Sequence, residues 1–157
     1  MSATTRPREA STALADPRLP LALATLVAAV ATAGSLYLSL GLGLTPCELC
    51  WYQRILMYPL VVVLGVAAAE ERTDVYRTVL PLSMLGILVS SYHVYIQLFP
   101  VSTGCTLGGG CSSIQYPMLG GLLTIPRLAL IAFVLITVLV GFLARRGDDA
   151  GAWSARR

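Results

Sequence analysis

The stretch from Thr45 to Arg54 reads TPCELCWYQR and places a Cys-x-x-Cys pair where the second of four long apolar segments begins. Two thiols at this spacing, Cys47 and Cys50, can close reversibly into a small disulfide ring. At the start of a helix they also experience the positive end of the helix dipole, which favours the thiolate and therefore thiol exchange. The stretch predicts redox chemistry at the mouth of a helix.

The composition is that of a membrane protein. Hydrophobic residues make up 56% of the 157-residue chain and charged residues only 12%. Every basic side chain is an arginine, and the formal net charge of +3 is small and dispersed along the chain. This balance does not favour a nucleic-acid partner; it indicates membrane lipid as the surroundings and arginine as the marker of topology.

Four runs with little or no charge are long enough to cross a bilayer at 1.5 Å of rise per residue. The predicted spans cover residues 19–44, 51–69, 79–99 and 122–143 approximately. Together they predict an all-α fold, a four-helix transmembrane redox domain over residues 19–144. Residues 1–18 are polar and predict a disordered cytoplasmic tail, and 145–157 a second cytoplasmic tail. A cleavable signal peptide is the alternative for the first run, although a signal's apolar core normally spans only about 7 to 15 residues.

The arginines are distributed unevenly around these spans. All but two lie before the first span, between the second and third, or after the fourth: Arg6, Arg8, Arg18, Arg72, Arg77, Arg145, Arg146, Arg156 and Arg157. The other two connections contain only Arg54 and Arg127, each at a helix mouth. The positive-inside rule therefore places both termini in the cytoplasm and the other two connections outside. All four cysteines lie in these outer connections, and disulfides persist outside the cytoplasm. We expect a multi-pass protein of the cell membrane whose active site faces outward.

The local sequence also predicts where the second helix starts. Thr45 and Glu48 have the spacing of a capping box, with Pro46 as the first helical residue. This start places Cys47 and Cys50 in the first turn, on one face of the helix. A Cys-x-x-Cys pair by itself is shared by zinc sites and thioredoxin-type centres, so its position at a helix mouth is what favours redox chemistry.

Arg54 follows Cys50 by four residues and is expected on the same face. Its guanidinium is a candidate to stabilise a thiolate at Cys50 or a developing anion on a bound electron acceptor. The alternative is an interfacial anchor whose charged end reaches toward water.

A second cysteine pair, Cys105 and Cys111, encloses three successive glycines in the second outer connection. Glycines impose little backbone preference, so a bridge can close here while the loop still moves. Two alternatives remain open for these residues: a purely structural disulfide, and a zinc ion held by all four cysteines.

His93 is the only histidine and lies late in the third span, about two turns below the outer surface and near the expected depth of Arg54. Gln97 lies one turn nearer that surface on the same face. A histidine facing lipid is costly, so we expect His93 to face the bundle interior. There it either hydrogen-bonds a quinone carbonyl or joins two helices.

Taken together, these motifs resemble the disulfide bond formation protein B family. The resemblance is carried by four spans and by Cys47, Cys50, Tyr52 and Arg54 opening the second span, His93 and Gln97 late in the third, and Cys105 and Cys111 in the second outer loop. It covers nearly the whole chain from Leu19 to Leu143. The short spacing of the second pair resembles the compact BdbC-type members more than members with a long second loop.

The resemblance implies a quinone-dependent thiol oxidase that regenerates the disulfide of a soluble, thioredoxin-like partner on the outer face. In the family scheme a partner thiolate attacks Cys105 and releases Cys111, which then attacks Cys47. Electrons collect at Cys50 and pass to ubiquinone or menaquinone, held by Arg54 with His93 and Gln97.

Two other functions are compatible with parts of the sequence. A vitamin K epoxide reductase-like enzyme also combines four membrane helices, Cys-x-x-Cys and a quinone, but its active pair is expected late in the bundle. A non-enzymatic membrane scaffold stapled by two inert disulfides gives no role to Arg54 or His93.

Overall fold

The computed structural model describes residues 18–99, 110–114, 116–117, 119–121 and 123–154. Its long helices are α1 (Arg18–Leu36), which continues as a π-helical turn over Tyr37–Gly41, α2 (Glu48–Glu70), α3 (Tyr76–Leu98) and α4 (Ile125–Ser154). Short 3₁₀ turns at Thr73–Val75 and Leu119–Gly121 precede α3 and α4. The prediction of an all-α, four-helix fold is confirmed.

All four helices are long and apolar enough to cross a membrane. Large apolar side chains such as Val62, Leu88 and Val138 remain exposed on their outer faces, as expected where a bundle meets lipid. The predicted fourth span ends at residue 143, but α4 continues past Arg145 and Arg146 to Ser154. Arginine ends an apolar run without ending a helix, because its helix propensity is high. The predicted N-terminal tail lies outside the described residues except for Arg18.

The helices are arranged in chain order around the bundle. Each packs against the next, and α1 closes the ring against α4. The core takes one stripe from every helix and consists mainly of Leu21, Ala24, Ala28, Met57, Leu60, Leu64, Val79, Phe133, Ile136 and Val140. At one end an ion pair between Arg18 and Glu71 joins the start of α1 to the α2–α3 connection. The Cys-x-x-Cys motif lies at the opposite end of α2.

The contact between α3 and α4 depends on a residue without a side chain. A Cβ atom on Gly86 would lie 2.3 Å from Cε1 of the buried Phe133 ring. One turn away on each helix, the Thr137 hydroxyl and the Ser83 hydroxyl are 2.9 Å apart and hydrogen-bonded. Small residues and hydroxyl pairs of this kind let membrane helices approach closely, since apolar surface alone provides little drive for association in lipid.

Gly86→Ala is therefore expected to destabilise the bundle. A methyl group placed against Phe133 must push α3 and α4 apart, at a cost of about 1–3 kcal/mol in the free energy of unfolding. Gly141→Ala on α4 is the matched control, because no atom lies within 4 Å of its added Cβ. Unfolding of both variants in mixed detergent micelles measures the difference. Equal stability of the two variants would contradict the close-packed α3–α4 contact.

Candidate active site

The Cys-x-x-Cys motif starts α2, but not through the predicted capping box. Cys47 is the N-cap residue, with extended backbone angles of φ −72° and ψ 172°, and its sulfur accepts the Cys50 N–H at 3.4 Å. The prediction of Thr45 as cap and Pro46 as first helical residue is wrong by two positions. The Cys47 thiol occupies the place that a serine or threonine oxygen usually takes. Glu48, the first residue of α2, adds a favourable negative charge at that end.

The two sulfurs of the motif lie side by side. Cys47 Sγ and Cys50 Sγ are 2.8 Å apart, so a small side-chain rotation is enough to bridge them. Cys47 is buried and Cys50 is half-buried. The hydrogen bond to Cys50, followed by burial, raises the pKa of the Cys47 thiol to about 12. The raised pKa favours Cys47 as the protonated member of the reduced pair.

His93 of α3 is buried as predicted, and its ring joins three separate parts of the chain. Its Nε2 is 3.1 Å from the Cys111 carbonyl oxygen, and its Nδ1 is 3.3 Å from the amide nitrogen of Gln53 on α2. A carbonyl only accepts and an amide N–H only donates, so with the Gln53 amide in this orientation Nε2 donates to the Cys111 carbonyl and Nδ1 accepts from Gln53. The same Nε2 lies 3.8 Å from Cys47 Sγ.

Cys111 is buried against the first pair. It packs with Cys47 and Ile96 in a small cluster to which Cys50 also contributes. Ser113 closes the turn that carries Cys111, because its N–H and its hydroxyl both donate to the Gly110 carbonyl. Cys105, the predicted partner of Cys111, lies outside the described residues, so the second pair as such stays a prediction.

Arg54 is held by α1. It donates from Nε to the Ser35 hydroxyl at 2.9 Å, from Nη2 to the Ser35 carbonyl at 2.8 Å, and also to the Ser39 hydroxyl in the π-helical turn. Its guanidinium carbon lies 5.4 Å from the Trp51 ring centroid, within cation–π range. The charged end is thus directed into the protein instead of extending freely toward water.

Two cavities meet at Cys50. A cleft of about 810 Å³ is lined by α1, α2, α4 and the α1–α2 connection; its walls are mostly apolar, and its polar lining includes Cys50, Gln53 and Arg54. A much smaller cavity, of about 10 Å³, is lined by Cys47, Cys50, His93, Gln97 and residues of the α3–α4 connection. Cys50 is the one cysteine of the described residues that lines both cavities.

The residues predicted to bind a cofactor therefore line two different cavities. Arg54 lines the large cleft, whereas His93 and Gln97 line the small cavity on the thiol side. The Gln97 side-chain oxygen accepts a hydrogen bond of 3.0 Å from the buried Thr124 hydroxyl, which joins α3 to the start of α4. Whether His93 and Gln97 contact a cofactor stays a prediction.

Sequence reasoning missed the residues that position these groups. Gln53 is three residues after Cys50 and was a detectable signal, since an amide there is a polar residue on the thiol face of an apolar helix. Ser35 and Ser39 are one turn apart in an otherwise apolar span, which is a weaker signal. Their role depends on contact with another helix and is not contained in local spacing.

Comparison with known proteins gives consistent matches. The family model described as disulfide bond formation protein DsbB matches residues 17–143. The chain is similar to disulfide bond formation protein C of Bacillus subtilis, with 47% identity over 75% of this chain and 87% of the relative. It is also similar to a probable disulfide formation protein of Oceanobacillus iheyensis, with 44% identity over 70% of this chain and 78% of the relative. No solved structure matches the chain significantly.

The raised pKa of Cys47 predicts ordered reactivity of the reduced pair. Iodoacetamide should modify Cys50 before Cys47 at pH 8, because only the thiolate attacks. Since the Cys47 pKa is about 12 while Cys50 is unmodified, the Cys47 alkylation rate measured in molecules with unmodified Cys50 should rise about tenfold per pH unit up to pH 10 without levelling off. Mass spectrometry of quenched samples follows each site.

Cys50→Ala provides the control for this order. Without the hydrogen bond to Cys50, the pH profile of Cys47 alkylation should move to lower pH. This shift is independent of any change in absolute rate that altered access to Cys47 causes. A profile that does not move, or Cys47 reacting first in the unaltered protein, would contradict the proposed proton position.

Proposed function

This chain belongs to the disulfide bond formation protein DsbB family, and from that premise we propose that it is a membrane thiol oxidase that passes electrons through two cysteine pairs to a quinone. Membership implies a role in disulfide formation. The observation that carries the finer proposal is the position of Cys50. Its sulfur lies 2.8 Å from that of Cys47 and lines the apolar cleft that also presents Arg54.

The cleft suits a quinone in size and chemistry. Its volume of about 810 Å³ is within the range of roughly 300–1,000 Å³ typical of cofactor sites. Apolar walls match a lipid-soluble ring and tail, and N–H donors occur at one end only, on Gln53 and Arg54. Tyr58 also lines the cleft, and its buried hydroxyl has no hydrogen-bond partner among the described residues. A ligand oxygen would satisfy that hydroxyl.

A bound quinone supplies an acceptor of two electrons and two protons, and either ubiquinone or menaquinone has this chemistry. Cys50, Gln53, Arg54 and Tyr58 are the residues that would hold its polar end. Arg54 brings a fixed positive charge to a water-poor site, where it stabilises negative charge strongly. His93 acts on the other side of Cys50, as a positioning residue that holds Cys111 beside Cys47.

The second pair then connects the site to a soluble, thioredoxin-like partner on the outer face. A partner thiolate attacks Cys105 and releases the Cys111 thiolate, which attacks Cys47 and releases the Cys50 thiolate. Each attack forms one S–S bond and breaks another. Cys111 and Cys47 belong to the same buried cluster, and this proximity supports the order.

Family membership favours this function over a vitamin K epoxide reductase-like enzyme. The scaffold alternative gives no reason for Arg54 and Cys50 to share a cleft. It predicts instead that loss of Cys50 weakens the fold.

The test is quinone absorbance, followed with purified protein in detergent as a reduced thioredoxin-like partner or dithiol peptide is oxidised. Quinone reduction should keep step with partner oxidation and vanish in Cys50→Ser, while the thermal stability of the variant stays close to that of the unaltered protein. If no electrons reach any quinone although the protein is folded and both pairs are bridged, the oxidase proposal fails. A Cys50→Ser variant that mainly loses stability would favour the scaffold.

Arg54→Gln should lower quinone reduction about 10²-fold, because removal of a preorganised charge from a water-poor site typically costs this much. Partner oxidation in a single turnover, which needs only the cysteines, should persist. Arg127→Gln is the matched control: Arg127 also lies at a helix mouth, but it donates to the Gly121 carbonyl and does not line the cleft. Equal losses in the two variants would remove Arg54 from the cofactor site.

We also propose that the active site faces outside the cytoplasm, on the strength of the arginine distribution. In a chain whose four native cysteines are serine, Ser113→Cys and Asp74→Cys place single thiols at opposite ends of the bundle, both at exposed positions. A membrane-impermeant maleimide added to intact cells should label Ser113→Cys and leave Asp74→Cys unlabelled until the cells are lysed. The reverse pattern would invert the topology.

A further inference from the structure

Three potential metal ligands converge between α2 and α3. The sulfurs of Cys47 and Cys50 and a ring nitrogen of His93 all lie within 4.8 Å of one another. Two thiols and an imidazole are the donors that zinc prefers, and a site with three protein ligands leaves a fourth position for solvent. The small cavity beside Cys50 provides that position.

The spacing is close to that of a tetrahedral site. Zinc–sulfur bonds of about 2.3 Å and zinc–nitrogen bonds of about 2.0–2.1 Å place two sulfurs roughly 3.8 Å apart and a sulfur and a nitrogen roughly 3.6 Å apart. Cys47 Sγ and His93 Nε2 are already 3.8 Å apart. The two sulfurs, at 2.8 Å, need to separate by about 1 Å, which a side-chain rotation of the half-buried Cys50 provides.

Gln53 lies beside the ring nitrogen of His93 that does not face the two sulfurs. Histidine ligands of zinc usually donate their second N–H to an oxygen, which fixes the ring. The Gln53 amide faces His93 Nδ1 at 3.3 Å, and rotation of that amide by half a turn presents its oxygen to an Nδ1–H. His93 can thus exchange the tautomer that holds the Cys111 carbonyl for the tautomer that frees Nε2 to bind a metal.

We propose that the reduced protein binds one thiophilic divalent cation, Zn²⁺, through Cys47 Sγ, Cys50 Sγ and His93 Nε2, with solvent as the fourth ligand. Binding converts two thiols to thiolates, so two protons leave and no electron moves. The oxidised pair, whose sulfurs share a bond, has no site. This centre differs from the four-cysteine zinc alternative in the sequence analysis, since it needs neither Cys105 nor Cys111.

Metal binding and disulfide formation compete for the same two sulfurs. A bound cation would hold the first pair reduced and release the Cys111 carbonyl from His93. Thiophilic metals outside the cell would therefore arrest the protein in its reduced state. The site requires no quinone, so its failure would leave the proposed oxidase function untouched.

The test uses the full-length chain with Cys105→Ser and Cys111→Ser, so that any thiolate–metal absorption arises from the first pair. Anaerobic titration of the phosphine-reduced protein with Co²⁺ should produce thiolate-to-cobalt charge-transfer absorption that saturates at one equivalent and is displaced by Zn²⁺. The oxidised protein should produce none. Absence of the band in the reduced protein, or an equal band in the oxidised protein, overturns the site.

Variants then identify the imidazole. His93→Ala should weaken Co²⁺ affinity at least about 10-fold and change the visible ligand-field bands. Ser83→Ala is the control on the same helix; it is buried, and its partner Thr137 keeps a second acceptor at the Phe133 carbonyl. Unchanged affinity in His93→Ala would show that the thiols alone bind metal and would overturn the proposal.

Gln53→Leu keeps the test decisive if His93→Ala fails to fold. Loss of the group that orients a histidine ligand typically costs 10–100-fold in metal affinity, so a loss of about that size is expected. Unchanged affinity in Gln53→Leu would exclude the bound imidazole. In the unaltered reduced protein, Zn²⁺ should also protect Cys47 and Cys50 from alkylation, and failure to protect both would count against the site.

Discussion

The arrangement of the active site depends on the hydrogen bonds of one buried imidazole. A polar ring in the interior of an apolar bundle is costly unless both nitrogens have partners. His93 finds them on two other parts of the chain, the Gln53 amide of α2 and the Cys111 carbonyl of the second outer connection. Satisfying this one side chain therefore brings Cys111 against Cys47. Cys47 and Cys111, which are more than sixty residues apart in the sequence, thus become neighbours because both lie next to His93.

The helices were predictable because membrane spans depend on properties that are read along the chain. Length and hydropathy place each of the four helices, and neither requires knowledge of which helices touch. Helix ends are a different matter. The start of α2 was assigned to a capping box at Thr45, yet Cys47 caps the helix, because a thiol can accept the N–H that oxygen normally takes. The far end of α4 was mispredicted for a different reason. The helix extends beyond its apolar span because hydropathy and helix propensity are independent properties.

The sequence allowed the reactive groups of the candidate site to be predicted, but not the residues that hold those groups in position. Cysteines, a lone histidine and an arginine in an apolar segment are conspicuous, so Cys47, Cys50, His93 and Arg54 were identified from the sequence. Gln53 was missed, although it links the thiol side to the cleft, because its function appears only when α3 places a ring nitrogen against it. The division of the site into two cavities was also missed. It depends on how α1, α2 and α4 pack around the cleft, which no local pattern encodes.

The hydrogen-bond partners of Arg54 explain why its position in a separate cleft matters. Within the described part of the chain its guanidinium is held by two hydroxyls, a carbonyl and an aromatic face, and none of the ion pairs there includes it. A positive charge that is hydrogen-bonded only to neutral groups, away from water, is not neutralised by an opposite charge. An ionisable residue of this kind in a membrane span normally has a functional role. Its field favours negative charge along the same face of α2, where Cys50 lies one turn away. Charge developed at Cys50 in the reduced pair lies beside both the cleft and the small cavity, because Cys50 lines both. The bundle thus places the two sulfurs of a chemically symmetrical Cys-x-x-Cys pair in different surroundings: Cys47 is buried beside His93, whereas Cys50 lines the cleft that Arg54 also lines.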